Sequence, residues 1–200
     1  SLDKTNSTLS EILAMCVVMM TIFIGGTIEG FNIVEEKDTN SIRAVSVSPV
    51  KTWEYVFAKG LLAVMISIVV AITSGLILSG FSINYFKLTA ALLLSGALTT
   101  SICLAVGGFA SNQITAIAVL KIAMPVYVGL PFLSFFAPDK LRVLFYVLPN
   151  YWQFQAFKNV FNITSANDFG FWFSSGLTLV LSSVLLLVLI RVLRRRLILR

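Results

Sequence analysis

Five stretches of this chain are apolar for about 20 residues at a time, and that length limits the fold more than any other feature. A helix rises about 1.5 Å per residue, so roughly 20 apolar residues cross the roughly 30 Å hydrocarbon layer of a bilayer. The stretches cover residues 12–31, 57–78, 88–109, 117–136 and 171–193. A water-soluble domain of 200 residues has too little interior to hide all five. Only 12% of the residues are charged, where a soluble domain carries about a quarter. The expectation is therefore an all-α polytopic membrane protein, a single transmembrane domain over residues 1–200 with about five spans.

Between the first two spans lies the only long charged island, a loop over residues 32–56 that carries both signs of charge. Asn40 and Ser41 can cap a short helix over residues 41–47. Pro49 stops it, because proline has no N–H for the helical ladder and disfavours helix at Ser48. Trp53 and Tyr55 precede the second span, as aromatic residues do at a membrane interface. Gly26 and Gly30, four apart, let a neighbouring helix approach the first span closely. Pro125 and Pro131 lie within the fourth span and must kink it. Residues 139–168 are aromatic-rich and broken at Pro149; each half is too short to span, so a re-entrant or interfacial helical pair is expected there.

Basic residues orient the spans. With the island inside, Lys37, Arg43, Lys51, Lys59, Arg191, Arg194, Arg195, Arg196 and Arg200 are cytoplasmic, nine against the five outside (Lys4, Lys87, Lys140, Arg142, Lys158). The island and the basic tail at residues 191–200 are thus expected in the cytoplasm, with the broken pair outside. The tail also suits contact with anionic membrane lipid, whereas nucleic acid is not an expected partner.

Several chemistries are excluded by composition. The chain has no histidine, which removes histidine-based triads and HExxH zinc sites. It has no GxxxxGK[ST] phosphate loop. Glu35-Glu36 begins like an intramembrane protease motif, but position 40 is Asn rather than Arg. Cys16 and Cys103 lie inside apolar runs and read as small buried hydrophobes. Glu11, Glu29, Lys59 and Lys121 all fall near span ends and read as helix anchors. No catalytic or metal-binding residue is assigned, and the charge-poor spans suit a hydrophobic or amphipathic cargo.

The island resembles the cytoplasmic loop of type-2 ABC exporter permeases. Glu36 and Asp38 match the acid-x-acid pair, Ser41 stands for the usual Thr, and Asn40 stands where Gly is usual. Ser48-Pro49, Trp53 and Lys59 match downstream. The order of span, loop, three spans, broken pair and last span is similar too, although six spans are normal in that family and this chain looks like it lacks the first. The resemblance implies a permease subunit working as a homodimer or heterodimer. Residues 41–47 would form a coupling helix seated in an ATP-binding subunit, which would hold the ATP and Mg; this chain would carry no cofactor. The implied contact residues are Glu35, Glu36, Asp38, Ser41, Ile42, Val45, Ser48 and Pro49. Polarity and kinks suggest a pathway near Thr21, Met124 and Tyr127, closed at the outer end by Tyr151 and Trp152. The other readings are a membrane scaffold or sensor and an ion-coupled carrier.

Overall fold

The computed structural model describes residues 2–41, 50–136, 138–163 and 168–193. The described chain is helical throughout, in the order α1 (Leu2–Asp38), α2 (Thr52–Ser79), α3 (Tyr85–Leu94), α4 (Gly96–Phe109) and α5 (Gln113–Met124). A π-helical turn (Pro125–Gly129), α6 (Leu130–Phe136), α7 (Asp139–Arg142), a 3-10 turn (Val143–Val147), α8 (Pro149–Val160) and α9 (Phe171–Leu193) complete it. Among the described residues, four helical segments are long and apolar enough to cross a membrane: Ser10–Asp38, Thr52–Ser79, Gln113–Ser134 and Phe171–Leu193. The pair α3–α4, bent by 48° at its break, is a fifth when the two helices are counted as one broken span.

The first span runs further than its apolar stretch. Nothing between Phe31 and Asp38 interrupts a helix, so α1 continues two more turns. It ends where Asn40 takes a φ of +58°, the left-handed conformation that glycine or asparagine adopts most readily. The third span is not one straight helix. It breaks at the Ser95-Gly96 pair, a recognised cause of sharp kinks. Hydroxyls then bond back to carbonyls around the break: Thr99 to Ser95 at 3.3 Å, Thr100 to Gly96 at 2.8 Å and Ser101 to Ala97 at 2.7 Å.

The fourth span contains the π turn, and its prolines explain the polar contact that fixes it. Pro131 has no N–H, so the carbonyl four residues back in an α register (Tyr127) or five back in a π register (Val126) lacks its donor. The Asn150 amide Nδ2 donates to both, at 2.9 Å to Tyr127 and 3.4 Å to Val126. A residue at the start of α8 thus completes the backbone of a kinked span, as a membrane interior requires.

Helices α1, α2 and α4 form the tight centre. A side chain at Gly25 would meet the Ala63 carbonyl of α2 at 2.5 Å, and one at Gly26 would meet the Thr99 carbonyl of α4 at 2.6 Å. Such close approach replaces the hydrophobic drive that lipid cannot provide between helices. One end of the bundle gathers the end of α1, the start of α2, the C-terminus of α4 and the last described turn of α9, where Leu193 packs on Gly108 and beside Ile33 and Tyr55. At the far end α8 is buried on nearly every side rather than lying on a surface. It is tied to the start of α9 by an ion pair, Lys158–Asp168 at 2.6 Å, and by Asn159 donating to the Phe169 carbonyl at 2.9 Å.

Candidate functional site

Two features stand out, one at the end where α1 and α2 meet and one an open apolar pocket on the side of the bundle. The first is a partly buried ion cluster joining α1 and α2, with Glu29 at its buried end. Glu29, Asn32 and Glu36 recur at three- and four-residue spacing and so share one face of α1; Tyr55 and Lys59, four apart, share one face of α2. The Lys59 ammonium lies 2.7 Å from Glu36 and 3.6 Å from Glu29. The Tyr55 hydroxyl donates to the second Glu36 oxygen at 2.6 Å, and Asn32 donates to Glu29 at 3.0 Å. Glu29 is only 4% exposed.

The sequence reading had placed Glu29 and Lys59 as anchors at span ends. The longer α1 carries Glu29 more than two turns inside the helix, where it is held by its partners on α1 and α2. Tyr55 is likewise not an interfacial aromatic: it is buried and hydrogen-bonded, while Trp53 is 61% exposed. Removing Lys59 leaves the buried Glu29 carboxylate uncompensated, which in a buried pair costs about 3–5 kcal/mol.

Lys37 serves a separate purpose. Its ammonium donates to the Gly107 carbonyl and, at 3.2 Å, to the Ala110 carbonyl, capping the negative end of α4. Glu35 and Asp38 sit exposed in the last turns of α1. Glu35, Glu36, Thr39 and Ser41 share a polar notch of about 350 Å3 with Asn32 and Lys59. Within it the Thr39 hydroxyl lies 2.9 Å from that of Ser41. Ile42, Val45, Ser48 and Pro49 lie outside the described residues.

The second feature is an apolar cavity of about 570 Å3 between α4, the π turn and α9. Leu98 and Ile102 of α4, Val126 and Tyr127 of the π turn, and Leu185 and Leu189 of α9 are among its walls; Pro149 and Asn150 line it at the start of α8. Its polar lining groups are occupied by the protein. The Tyr127 hydroxyl is 2.6 Å from Gln153 Oε1 and 3.3 Å from the Met19 carbonyl, and the ring stacks on Phe23 at 5.4 Å. Asn150 holds the π-turn carbonyls, and Ser101 bonds within α4. An occupant would therefore meet apolar surface and no free hydrogen-bonding group of those three side chains.

Of the pathway residues read from the sequence, Tyr127 lines this cavity. Thr21 is buried and donates to its own helix at Val18, 2.7 Å away. Met124 is 46% exposed on α5. Tyr151 and Trp152 are buried in an aromatic cluster with Tyr146, Phe169 and Phe173. There the Trp152 indole donates to the Tyr146 carbonyl at 2.7 Å, and Gln155 donates to the Tyr151 hydroxyl at 3.0 Å. Burial holds the Tyr151 phenol above its ordinary pKa. Among the described residues no group of His, Cys, Asp and Glu could hold a metal ion.

Long apolar helices and a helical pair too short to span define a multi-pass, all-helical membrane protein, with an open apolar pocket on its side. The chain belongs to the Rv2686c-like family, described as fluoroquinolones export permease protein Rv2686c-like, whose profile matches residues 4–191. It is 28% identical over 165 residues to the fluoroquinolones export permease protein Rv2686c of Mycobacterium tuberculosis strain ATCC 25618 / H37Rv, which covers 80% of this chain and 62% of that relative. The protein named fluoroquinolones export permease protein MT2760, from strain CDC 1551 / Oshkosh of the same organism, matches with the same identity and coverage. The chain thus spans 62% of the length of these curated relatives. No solved structure matches it. Membership of an export permease family agrees with the resemblance to exporter permeases drawn from residues 36–50 and the order of spans.

Proposed function

We propose that this chain is the membrane subunit of an ATP-driven exporter that moves flat, amphipathic aromatic compounds across the cell membrane. ATP is hydrolysed with Mg on a separate subunit, which docks on the loop centred on residues 42–49, and a second permease copy, the same or related, completes the pathway. The loop and the basic tail face the cytoplasm. The observation that carries this reading is the apolar cavity, in a chain that belongs to a family of export permeases. Its volume falls in the range of roughly 300–1,000 Å3 typical of small-molecule sites. The relatives' names point to fluoroquinolones as the first compounds to try.

A second reading, an ion-coupled carrier, draws support from the buried Glu29, whose Oε2 makes no hydrogen bond and only the 3.6 Å ion contact to Lys59. Buried acids of this kind commonly mark ion pathways. One experiment separates the two. The permease is expressed with the ATP-binding subunit that co-purifies with it, and accumulation of a fluorescent fluoroquinolone is followed in membrane vesicles. Transport that needs ATP and survives a protonophore supports the exporter. Transport that ignores ATP and collapses with the protonophore overturns it in favour of the carrier, and no transport of any compound tested overturns both.

A further inference from the structure

We propose that Lys59 is a positioning residue that fixes the register of α1 against α2, so that both ends of the loop at residues 42–49 move with the membrane bundle as one rigid handle. The proposal rests on the reading that this loop receives the push of an ATP-binding partner. Three observations carry it.

The first is placement. The loop leaves α1 beyond Ser41 and rejoins the chain at Val50, just before α2 begins at Thr52. Glu36 and Lys59 lie close behind those two ends and meet at 2.7 Å. This contact ties the two helices that carry those ends directly to each other.

The second is depth. Glu29 and Glu36 are seven residues apart, or about 10 Å along the helix axis. One ammonium contacts both, reaching the deeper carboxylate at 3.6 Å and the shallower at 2.7 Å. Both ion contacts end on one Lys59 Nζ, which resists sliding of α2 along α1. The second point of attachment on α2 is Tyr55, one turn earlier, whose hydroxyl on Glu36 resists pivoting about Lys59.

The third is the choice of chemistry. Well-packed apolar residues would stabilise this junction as well or better, because two carboxylates and an ammonium must be stripped of water to form it. The best-attested use of such a polar cluster is to set the register between helices, because a slip by one turn unpairs its charges. The close backbone contact at Gly25 and Gly26 then carries that alignment from α1 to α2 and α4.

The test separates alignment from simple stability. Thr39 and Trp53 are exposed on either side of the loop. Both are changed to Cys in a Cys16→Ala, Cys103→Ala background, spin-labelled in the full-length chain, and the distance distribution between them is measured. Lys59→Met alone leaves the buried Glu29 carboxylate without its counter-charge and can fail to fold. The informative variants are therefore the neutral set Glu29→Gln/Glu36→Gln/Lys59→Met and the swapped pair Glu36→Lys/Lys59→Glu made in a Glu29→Gln background, which spares the new carboxylate at position 59 a like-charged neighbour.

The unaltered cluster is expected to give one narrow distance. The neutral set is expected to reach the membrane in normal amount, to broaden the distribution, and to lower export by about 5- to 150-fold, the range of a typical coupling free energy. The swapped pair is expected to restore the narrow distance and most of the export. A neutral set that keeps both the narrow distance and full export overturns the proposal, as does a swap that leaves the distribution broad. If the unaltered protein exports nothing, the proposed function fails on its own, and the distance measurement still decides the role of Lys59.

Discussion

The join between Asn150 and the π turn yields the most quantitative expectation. Asn150→Leu keeps the branched shape and the number of side-chain heavy atoms and removes the donor to the Tyr127 and Val126 carbonyls. The 2.9 Å contact to Tyr127 is the stronger of the two, so the cost is set by leaving one buried carbonyl without a donor, about 1–3 kcal/mol. For a chain of this size each kcal/mol lowers Tm by about 2–4 °C, so the expected drop is about 2–12 °C. Thermal unfolding of the purified protein in detergent measures it. The sharper check is a double-mutant cycle with Pro131. Pro131→Ala returns the missing N–H to the helix, and in that background Asn150→Leu should cost distinctly less, with an interaction energy of about 0.5–3 kcal/mol. If Asn150→Leu costs the same within about 0.5 kcal/mol with and without Pro131, the account of Asn150 as the donor replacing proline is wrong.

Other expectations follow from the packing and the cavity. Leu185→Trp fills the apolar cavity with a bulky ring, so fluoroquinolone export should fall while membrane abundance and Tm hold steady; drug accumulation and immunoblotting read the two. Gly26→Leu places a Cβ 2.6 Å from the Thr99 carbonyl and must push α1 from α4, an overpacking cost of about 1–3 kcal/mol that should appear as lower Tm. Lys158→Met leaves the buried Asp168 carboxylate without its 2.6 Å partner, for a loss of about 3–5 kcal/mol, most of which Lys158→Met/Asp168→Asn should recover in the same melting assay.

The spans were legible because span length and apolar composition are local properties. Residues 57–78 and 171–193 match α2 and α9 closely for that reason. The breaks were harder to read. The kink at Ser95 has a local signal, the Ser95-Gly96 pair inside an apolar run, and reading it would have bent the third span. The prolines announced a kinked fourth span, but whether the freed carbonyls would meet water, a neighbouring hydroxyl or Asn150 depends on a helix that begins some twenty residues later. The broken pair was expected from its length, whereas its burial was not, because Tyr151, Trp152 and Gln153 look amphipathic until α9 and the π turn are packed around them.

The ion cluster shows where local reading stops and why the omission matters. Counting about 20 residues from the start of the first apolar run puts Glu29 near a membrane boundary, where a lone carboxylate needs no explanation. Whether α1 ends there or two turns later cannot be judged from hydrophobicity, since residues 32–38 are permissive for helix without being apolar. Their helical state is supported by distant partners: Lys37 on the end of α4, and Glu36 on Tyr55 and Lys59. The same contacts that extend α1 also bury Glu29, so helix length and buried charge are one event. The charged island is therefore not separated from the bundle by a flexible linker. Its first acids belong to a transmembrane helix, and the ammonium that pairs with them belongs to the next.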